Sequence, residues 1–356
     1  MRFRFTVFIL SLLIFESISQ AQKQTLEIVR ITDGVYGAIF SEPKVNPVES
    51  NSVILIGDEY VVVVDAGFLP ATAKSVIAEI RKLTNKPVRY VINSHWHDDH
   101  IFGNQVYREA FPRVEFIAHQ NTREDMHGKA RSHIPGNIDM CVQLIAQTEK
   151  ALAKGTNSKA EPFSVAQIRD MKERLKVYKS ALPELRKIQM LLPTFTFEQN
   201  LILHQGKREI QILYFGRGNT RGDVVVHLPT EKILITGDLV VHPVPYAYGS
   251  FPGEWIQTLK RLQALRPVTI IPGHGPVMPD DQYLGYVISL LESIVTQVKD
   301  AAKRGLSLEQ TRTSIDLGHF RVKLAGQDAG RNSTFESSIL KAAIEQAYKE
   351  AKATSN

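Results

Sequence analysis

Cysteine is nearly missing from this chain of 356 residues; Cys141 is the only one. A single thiol excludes an internal disulfide framework and any zinc site built from several cysteines. Long apolar runs are scarce too. Residues 5–15 form one almost unbroken run, and nothing after it approaches the roughly 18 residues of a membrane span. No Gly-x-Ser-x-Gly turn occurs, and no Gly-rich phosphate loop ending in Lys-Ser or Lys-Thr. Their absence argues against a serine nucleophile and against nucleotide hydrolysis by that route. Charge of one sign is not concentrated: 43 Lys+Arg stand against 37 Asp+Glu, and the basic residues are not grouped with aromatics into a stripe that would bind nucleic acid.

What is present fits one large globular domain with additions, or two domains, since 43% hydrophobic and 22% charged residues are ordinary values for such chains. Residues 1–21 read as a secretory signal. Arg2 and Arg4 precede the apolar run, and Ser19-Gln20-Ala21 supplies small residues before a cut after Ala21. The expected location is periplasmic or secreted, with no membrane contact after cleavage; an uncleaved anchor is the competing reading. A lone cysteine suits export, because it has no partner to mispair with inside its own chain.

Strands and helices alternate along the first half. Residues 52–56 and 60–65 suggest a hairpin around Gly57-Asp58, and Val61 to Val64 has the two-sided apolarity of a buried strand. Helical spacing follows over 71–83, then strands over 88–92 and 114–118. From about 121 to 192 the composition turns to Lys, Glu, Gln, Ala and Leu. Helices are expected there at 138–153 and 164–190, with Gly136, Gly155 and Pro162 as breaks. Strands return at 201–204, 209–215, 223–228 and 232–236, followed by a helix at 254–265 and a strand at 268–271. Residues 281–304 and 335–351 are helical by composition, and the stretch between them, with Gly318, Gly326 and Gly330, reads as loop. The class is α/β. A domain over 22–304 with a helical insertion at about 121–192, and a C-terminal helical extension over 305–356, is the expected layout.

The chemistry-bearing segment is Ser94-His95-Trp96-His97-Asp98-Asp99-His100, directly after a strand. Alternate residues of an extended segment point the same way, so His95 and His97 can reach one point. A bend after them lets Asp99 and His100 face a second point. Imidazole and carboxylate suit zinc, and also iron or manganese.

This segment resembles the His-x-His-x-Asp-His motif of the metallo-β-lactamase superfamily. Asp65-Ala66-Gly67, Thr236-Gly237-Asp238 and Pro272-Gly273-His274-Gly275 look like further motifs of that family, in its order. The resemblance implies a four-layer αββα sandwich with metal ions at the edge between two β-rich halves. It implies Asp99, His100 and His274 at a second metal position, Asp238 as a bridging and catalytic carboxylate, and Asp65 behind a ligand histidine. One position departs from the pattern. Asn219, in Gly216-Arg217-Gly218-Asn219-Thr220, stands where the family usually has histidine. The first position would hold His95, His97 and a neutral, weaker amide ligand. It could be a weakened site completed with substrate, or the centre could hold one metal, or catalysis could be lost.

The implied activity is that of a metal-dependent hydrolase acting on a small amide, ester, thioester or lactone, a β-lactamase-like reaction being one member of that set. One or two zinc ions would lower the pKa of water to about 7 and polarise the carbonyl, and Asp99 would orient that water. His242 offers a further ligand or a substrate contact. Tyr246 and Tyr248, in the Pro-rich stretch 243–252, are candidate substrate contacts on a rim loop. The insertion would wall the pocket of a small-molecule substrate or mediate a homodimer. Two other classes compete: an interaction protein with a residual metal site, and an iron-dependent redox relative, which Asn219 disfavours.

Overall fold

Val61 to Val64 point alternately into two different cores, and that alternation sets the layering. In the computed structural model, which describes residues 25–42, 48–157 and 159–353, Val62 and Val64 face a second sheet while Val61 and Val63 face helices. The expected signal sequence at 1–21 lies outside the described residues.

The first sheet carries seven strands in chain order: β1 (Leu26–Thr32), β2 (Val35–Phe40), β3 (Ser52–Ile56), β4 (Val61–Val64), β5 (Val88–Ile92), β6 (Glu115–His119) and β7 (Phe195–Phe197). Strands β1 to β4 pair antiparallel, and β4 to β7 pair parallel. Parallel neighbours need crossovers. These are α1 (Pro70–Leu83), then α2 (Asp98–Ile101) and α3 (Asn104–Ala110). Between β6 and β7 the chain leaves the sheet for α4 (Gln120–Asp125), a wide π-type turn at Met126–Ala130, α5 (Arg131–Lys154) and α6 (Val165–Leu185). The second sheet has the order β12-β11-β10-β9-β8, from β8 (Asn200–Gln205), β9 (Arg208–Leu213), β10 (Val225–Leu228), β11 (Ile233–Val241) and β12 (Thr269–His274). Only β11 and β12 run parallel in it, joined through α7 (Pro252–Ala264). After it come α8 (Gln282–Lys303), α9 (Leu308–Ser314), α10 (Gly318–Leu324), α11 (Ala329–Thr334), a π-type segment at Phe335–Ala343, and α12 (Ile344–Ala353).

Three apolar interfaces hold four layers. Val62, Val64, Ile92 and Ile117 meet Ile212, Val226, Ile235 and Ile271 between the sheets. Val76, Ile80 and Tyr107 cover the outer face of the first sheet. Trp255, Leu259, Leu291 and Ile294 cover that of the second, joined by Phe335, Ile339 and Ile344 from the C-terminal extension. The αββα sandwich is thus as expected. The insertion docks through a fourth cluster, in which Met126, Cys141, Tyr178 and Leu185 pack on Phe68, Leu69 and Phe102.

Several boundaries differ from the sequence reading. Pro135 and Gly136 lie inside α5, which starts at Arg131 rather than at 138. The second insertion helix stops at Leu185, just past Pro183, rather than reaching 190. The C-terminal extension is helical, as expected, but the stretch between 304 and 335 is not a loop. Ser307 and Gln310 form a capping box that starts α9, and Asp328 caps α11. Gly318 and Gly330 sit in the first turns of helices, and only Gly326 of the three takes a positive φ, 54°. No helix among the described residues is long and apolar enough to cross a membrane.

Candidate metal centre

The centre forms where strand ends from both sheets meet. Strand β5 delivers the motif loop. His97 keeps an extended backbone, with φ −63° and ψ 147°, and α2 begins at the next residue. Ser94 to Trp96 bend instead of running straight, and the histidines form one cluster rather than two separated pairs: the His95 ring lies 4.1 Å from that of His100 and 4.5 Å from that of His97. His95 Nε2 lies 2.9 Å from His97 Nδ1. Asp99 and His100, one turn on, turn toward β11 and β12. Asp238 on β11 and His274 at the end of β12 complete the group. His100 Nε2 is 3.2 Å from Asp238 Oδ1, and His274 Nε2 is 3.0 Å from Asp99 Oδ2 and 3.5 Å from Asp238 Oδ1. The other carboxylate oxygen of Asp238 lies 3.8 Å from His95 Nε2. Asp238 therefore faces His95 with one oxygen and His100 and His274 with the other. This approach requires glycine at 273, where a Cβ would come within 2.1 Å of Asp238 Oδ1.

A buried hydrogen-bond chain orients the rings. His100 donates from Nδ1 to Asp65 Oδ2 at 2.8 Å, and Asp65 Oδ1 accepts from the Ser94 amide at 2.7 Å. The Ser94 hydroxyl donates to Asp65 Oδ2 at 2.7 Å, so His95 Nδ1, 3.0 Å away, donates to Ser94 Oγ. In its neutral form each ring is thereby left with the Nε2 lone pair facing the centre. Asp65 holds a left-handed φ of 61°, a conformation that costs a non-glycine residue about 1–3 kcal/mol and is typical of functional sites. Thr220 and Asp223 brace the neighbouring loop, with Asp223 Oδ2 accepting from the Thr220 amide at 2.7 Å and Oδ1 from its hydroxyl at 2.9 Å.

The electrostatics divide the centre. Burial holds His95 well below the ordinary imidazole range, with the neighbouring histidines adding to it, and pushes His97 down to about 4. Burial opposes charge on His100 and His274 too, but the facing Asp238 and Asp99 carboxylates raise both. Burial likewise opposes charge on Asp99, yet His100 and His274 hold it well below the carboxylate range. His100 Nε2, His274 Nε2, Asp238 Oδ1 and Asn219 Oδ1 are buried atoms without a hydrogen-bond partner. Orphaned buried polar atoms are costly. Three of them belong to residues of two overlapping ligand groups, His95 with His100 and Asp238, and Asp99 with His100 and His274, with His97 in neither group. Such nitrogen and oxygen donors fit a divalent metal ion.

The remaining sequence candidates fall around this group. Asn219 is fully buried, and its Nδ2 donates to the Tyr246 carbonyl. The Tyr246 ring lies 5.3 Å from that of His274, so the rim loop does reach the centre. Tyr248 is half exposed, lines the cavity over the centre, and bonds through its hydroxyl to Ser337 Oγ at 2.7 Å. His242 is outside the converging set; its ring packs edge-on against Tyr283 and faces a smaller neighbouring cavity. Sequence reading passed over Asp98, which takes a 2.7 Å hydrogen bond from Asn137 of α5 and lies 3.4 Å from His133 Nδ1. It also passed over Ser338. The acidic Asp98 next to the motif was a visible signal, but its partners on α5 were not.

An αββα sandwich with a His/Asp centre at its strand ends defines the class of protein. The family model of the metallo-beta-lactamase superfamily matches residues 45–274, and the chain belongs to that superfamily. Among curated relatives, a linear primary-alkylsulfatase from Pseudomonas sp. is 21% identical over 256 residues, covering 70% of this chain and 46% of that protein. A metallo-beta-lactamase type 2 from Elizabethkingia meningoseptica is 29% identical over 86 residues, 22% of this chain and 34% of that one. The chain thus spans less than half the length of either relative. Among solved structures, a metallo-beta-lactamase from Pontibacter korlensis shares the fold with a TM-score of 0.53 at 19% identity, over 75% of this chain and 99% of that one.

Proposed function

We propose that the chain is an exported metal-dependent hydrolase that cleaves a small ester, thioester, amide or lactone carrying an apolar group. The carrying observation is the convergence of buried, unpartnered His100 Nε2, His274 Nε2 and Asp238 Oδ1 beside the His95–His97 pair. In this reading His95, His97 and Asn219 form a first metal position, Asp99, His100 and His274 a second, and Asp238 faces both. Zinc suits these donors, and such a metal supplies a more acidic water and polarises the carbonyl under attack. Asp99 orients the attacking water, and Asp65 keeps the His95 and His100 tautomers fixed through the reaction.

A cavity of about 710 Å³ opens over His97, Asp99 and Asp238. Its far wall comes from the insertion, with Met140, Leu144, Ala181 and Leu185, and Phe68 closes one side. That wall favours a substrate whose apolar part lies against α5 and α6 while its scissile group meets the carboxylates. The two relatives, named for alkyl sulfates and for β-lactams, are consistent with hydrolysis and leave the substrate to the wall. The signal-like residues 1–21 support export, which would have the reaction run in the periplasm or outside the cell.

The test is metal content per chain after dialysis of protein lacking residues 1–21, followed by hydrolysis of a series of acyl esters and β-lactams. About two zinc ions per chain and turnover abolished by a chelator are expected. Turnover that survives full removal of metal would overturn the reading.

A further inference from the structure

The rim loop over the centre is fastened from outside the region that matches the superfamily. Tyr283 of α8 donates its hydroxyl to the Val241 and Pro243 carbonyls at 2.7 and 2.9 Å. Further along, Ser338 in the π-type segment donates to the Pro245 carbonyl at 2.7 Å and accepts from the Ala247 amide at 2.8 Å. Ser338 is fully buried, and its hydroxyl donates to one and accepts from the other of the two backbone groups that flank Tyr246. The far end of the loop is tied by the Phe251 amide to the Gly218 carbonyl at 2.8 Å, next to Asn219.

Tyr246 is the residue so bracketed, and it has two contacts with the centre. Its ring lies against His274, and its carbonyl takes a hydrogen from Asn219 Nδ2. A carbonyl can only accept, so this bond decides which way the Asn219 amide faces. With Nδ2 committed, Oδ1 is the free corner, buried and without a partner. An amide whose two ends differ only in donor and acceptor character needs such a fixed carbonyl to act as an oxygen ligand. Wide π-type helical segments often occur where a helix serves a functional site, and this one brings Ser338 to the loop.

We propose that Ser338 is a positioning residue of the metal centre: it fixes the Tyr246 carbonyl, which fixes the Asn219 amide with Oδ1 offered to the first metal position. The C-terminal extension then sets the affinity of that position from outside the sandwich. The proposal rests on the reading that Asn219 serves the first position.

The experiment titrates zinc into metal-free protein against a chromophoric chelator and records, in parallel, the melting temperature of the metal-free protein. Ser338→Ala is expected to keep one tight zinc and to weaken the other about tenfold, the scale of lost outer contacts at metal sites. Asn219→Ala should weaken the same zinc, and the double variant should be no weaker than Asn219→Ala alone. Ser338→Thr, which keeps the hydroxyl, should restore wild-type binding. Wild-type zinc affinities in Ser338→Ala, even with a lowered melting temperature, would overturn the positioning role while leaving the two-metal reading intact. A wild type that binds one zinc, unchanged by Asn219→Ala, would overturn both. If Ser338→Ala does not fold, Ser338→Cys, with its weak hydrogen-bonding thiol, must show the same selective loss for the proposal to stand.

Discussion

The two halves of the centre are built from different materials. Around His100 and His274 the carboxylates of Asp99 and Asp238 lie within 3.0 to 3.6 Å, and charge is dense. Around His95 and His97 the rings are held neutral, the third candidate is an amide, and the nearest Asp238 oxygen is 3.8 Å from His95 Nε2. A cation is drawn by opposite charge that has already been desolvated, so the second half should fill first. On the proposed two-metal reading, the contrast would give the two positions unequal grip, through carboxylates on one side and neutral donors on the other.

Removing the shared carboxylate breaks the comparison altogether. Asp238→Ala is expected to lose tight zinc at both positions and to lower turnover by at least about 10³-fold, the scale set by loss of a principal electrostatic group. Retention of either zinc at wild-type affinity, measured by dialysis and elemental analysis, would show that the halves are independent.

Asp65→Asn sharpens the comparison. Asp65 meets His100 directly and His95 only through Ser94. A loss of about 10- to 100-fold in zinc affinity is expected at the second position, with a smaller loss at the first. Zinc titration of the variant separates the two.

The smallest effect is on protons. His100 and His274 have pKa values raised by their carboxylates, whereas His97 is held at about 4. Zinc entering the second half of the metal-free protein must displace protons near neutral pH, and zinc entering the first half need not. Affinity at the second position should therefore already fall as pH is lowered toward the ordinary imidazole value of 6.5, while that at the first stays level until pH approaches about 4. Calorimetry in buffers of different ionisation enthalpy measures the proton release. Equal release for both zinc ions would contradict the assigned difference.

What the sequence disclosed follows chain distance. The His95-to-His100 cluster was legible because its ligand-type residues are adjacent in the chain, although the 2.9 Å approach of His95 and His97 is made across a bend over residues 94–96 rather than by alternation in an extended segment. Asp238 and His274 were legible only through family likeness, since β11 and β12 bring them in from far along the chain. The Ser338 clamp joins residues 93 and 91 positions apart, and no local pattern announces it. The C-terminal helical extension and its helix over 335–351 were legible from composition, whereas α9 to α11 were missed because glycine reads as a loop signal, although Gly318 and Gly330 occupy helix starts, where its cost is small.

The insertion leaves the sandwich at His119 and returns at Phe195; β6 and β7 pair in parallel with His119 beside Phe197 and Phe195 beside Ile117, so the two anchor points lie two residues out of register on adjacent strands. Doubling the length of a loop between two adjacent anchor points adds only about 0.6 kcal/mol of closure entropy. The wall facing the substrate is therefore an exchangeable cassette. Grafting a different helical pair between 131 and 185 would change what the pocket admits while keeping Asn121 and Thr122, which hold the Arg221 and Gly222 carbonyls of the loop that carries Asn219, provided the graft still covers Phe68, Leu69 and Phe102.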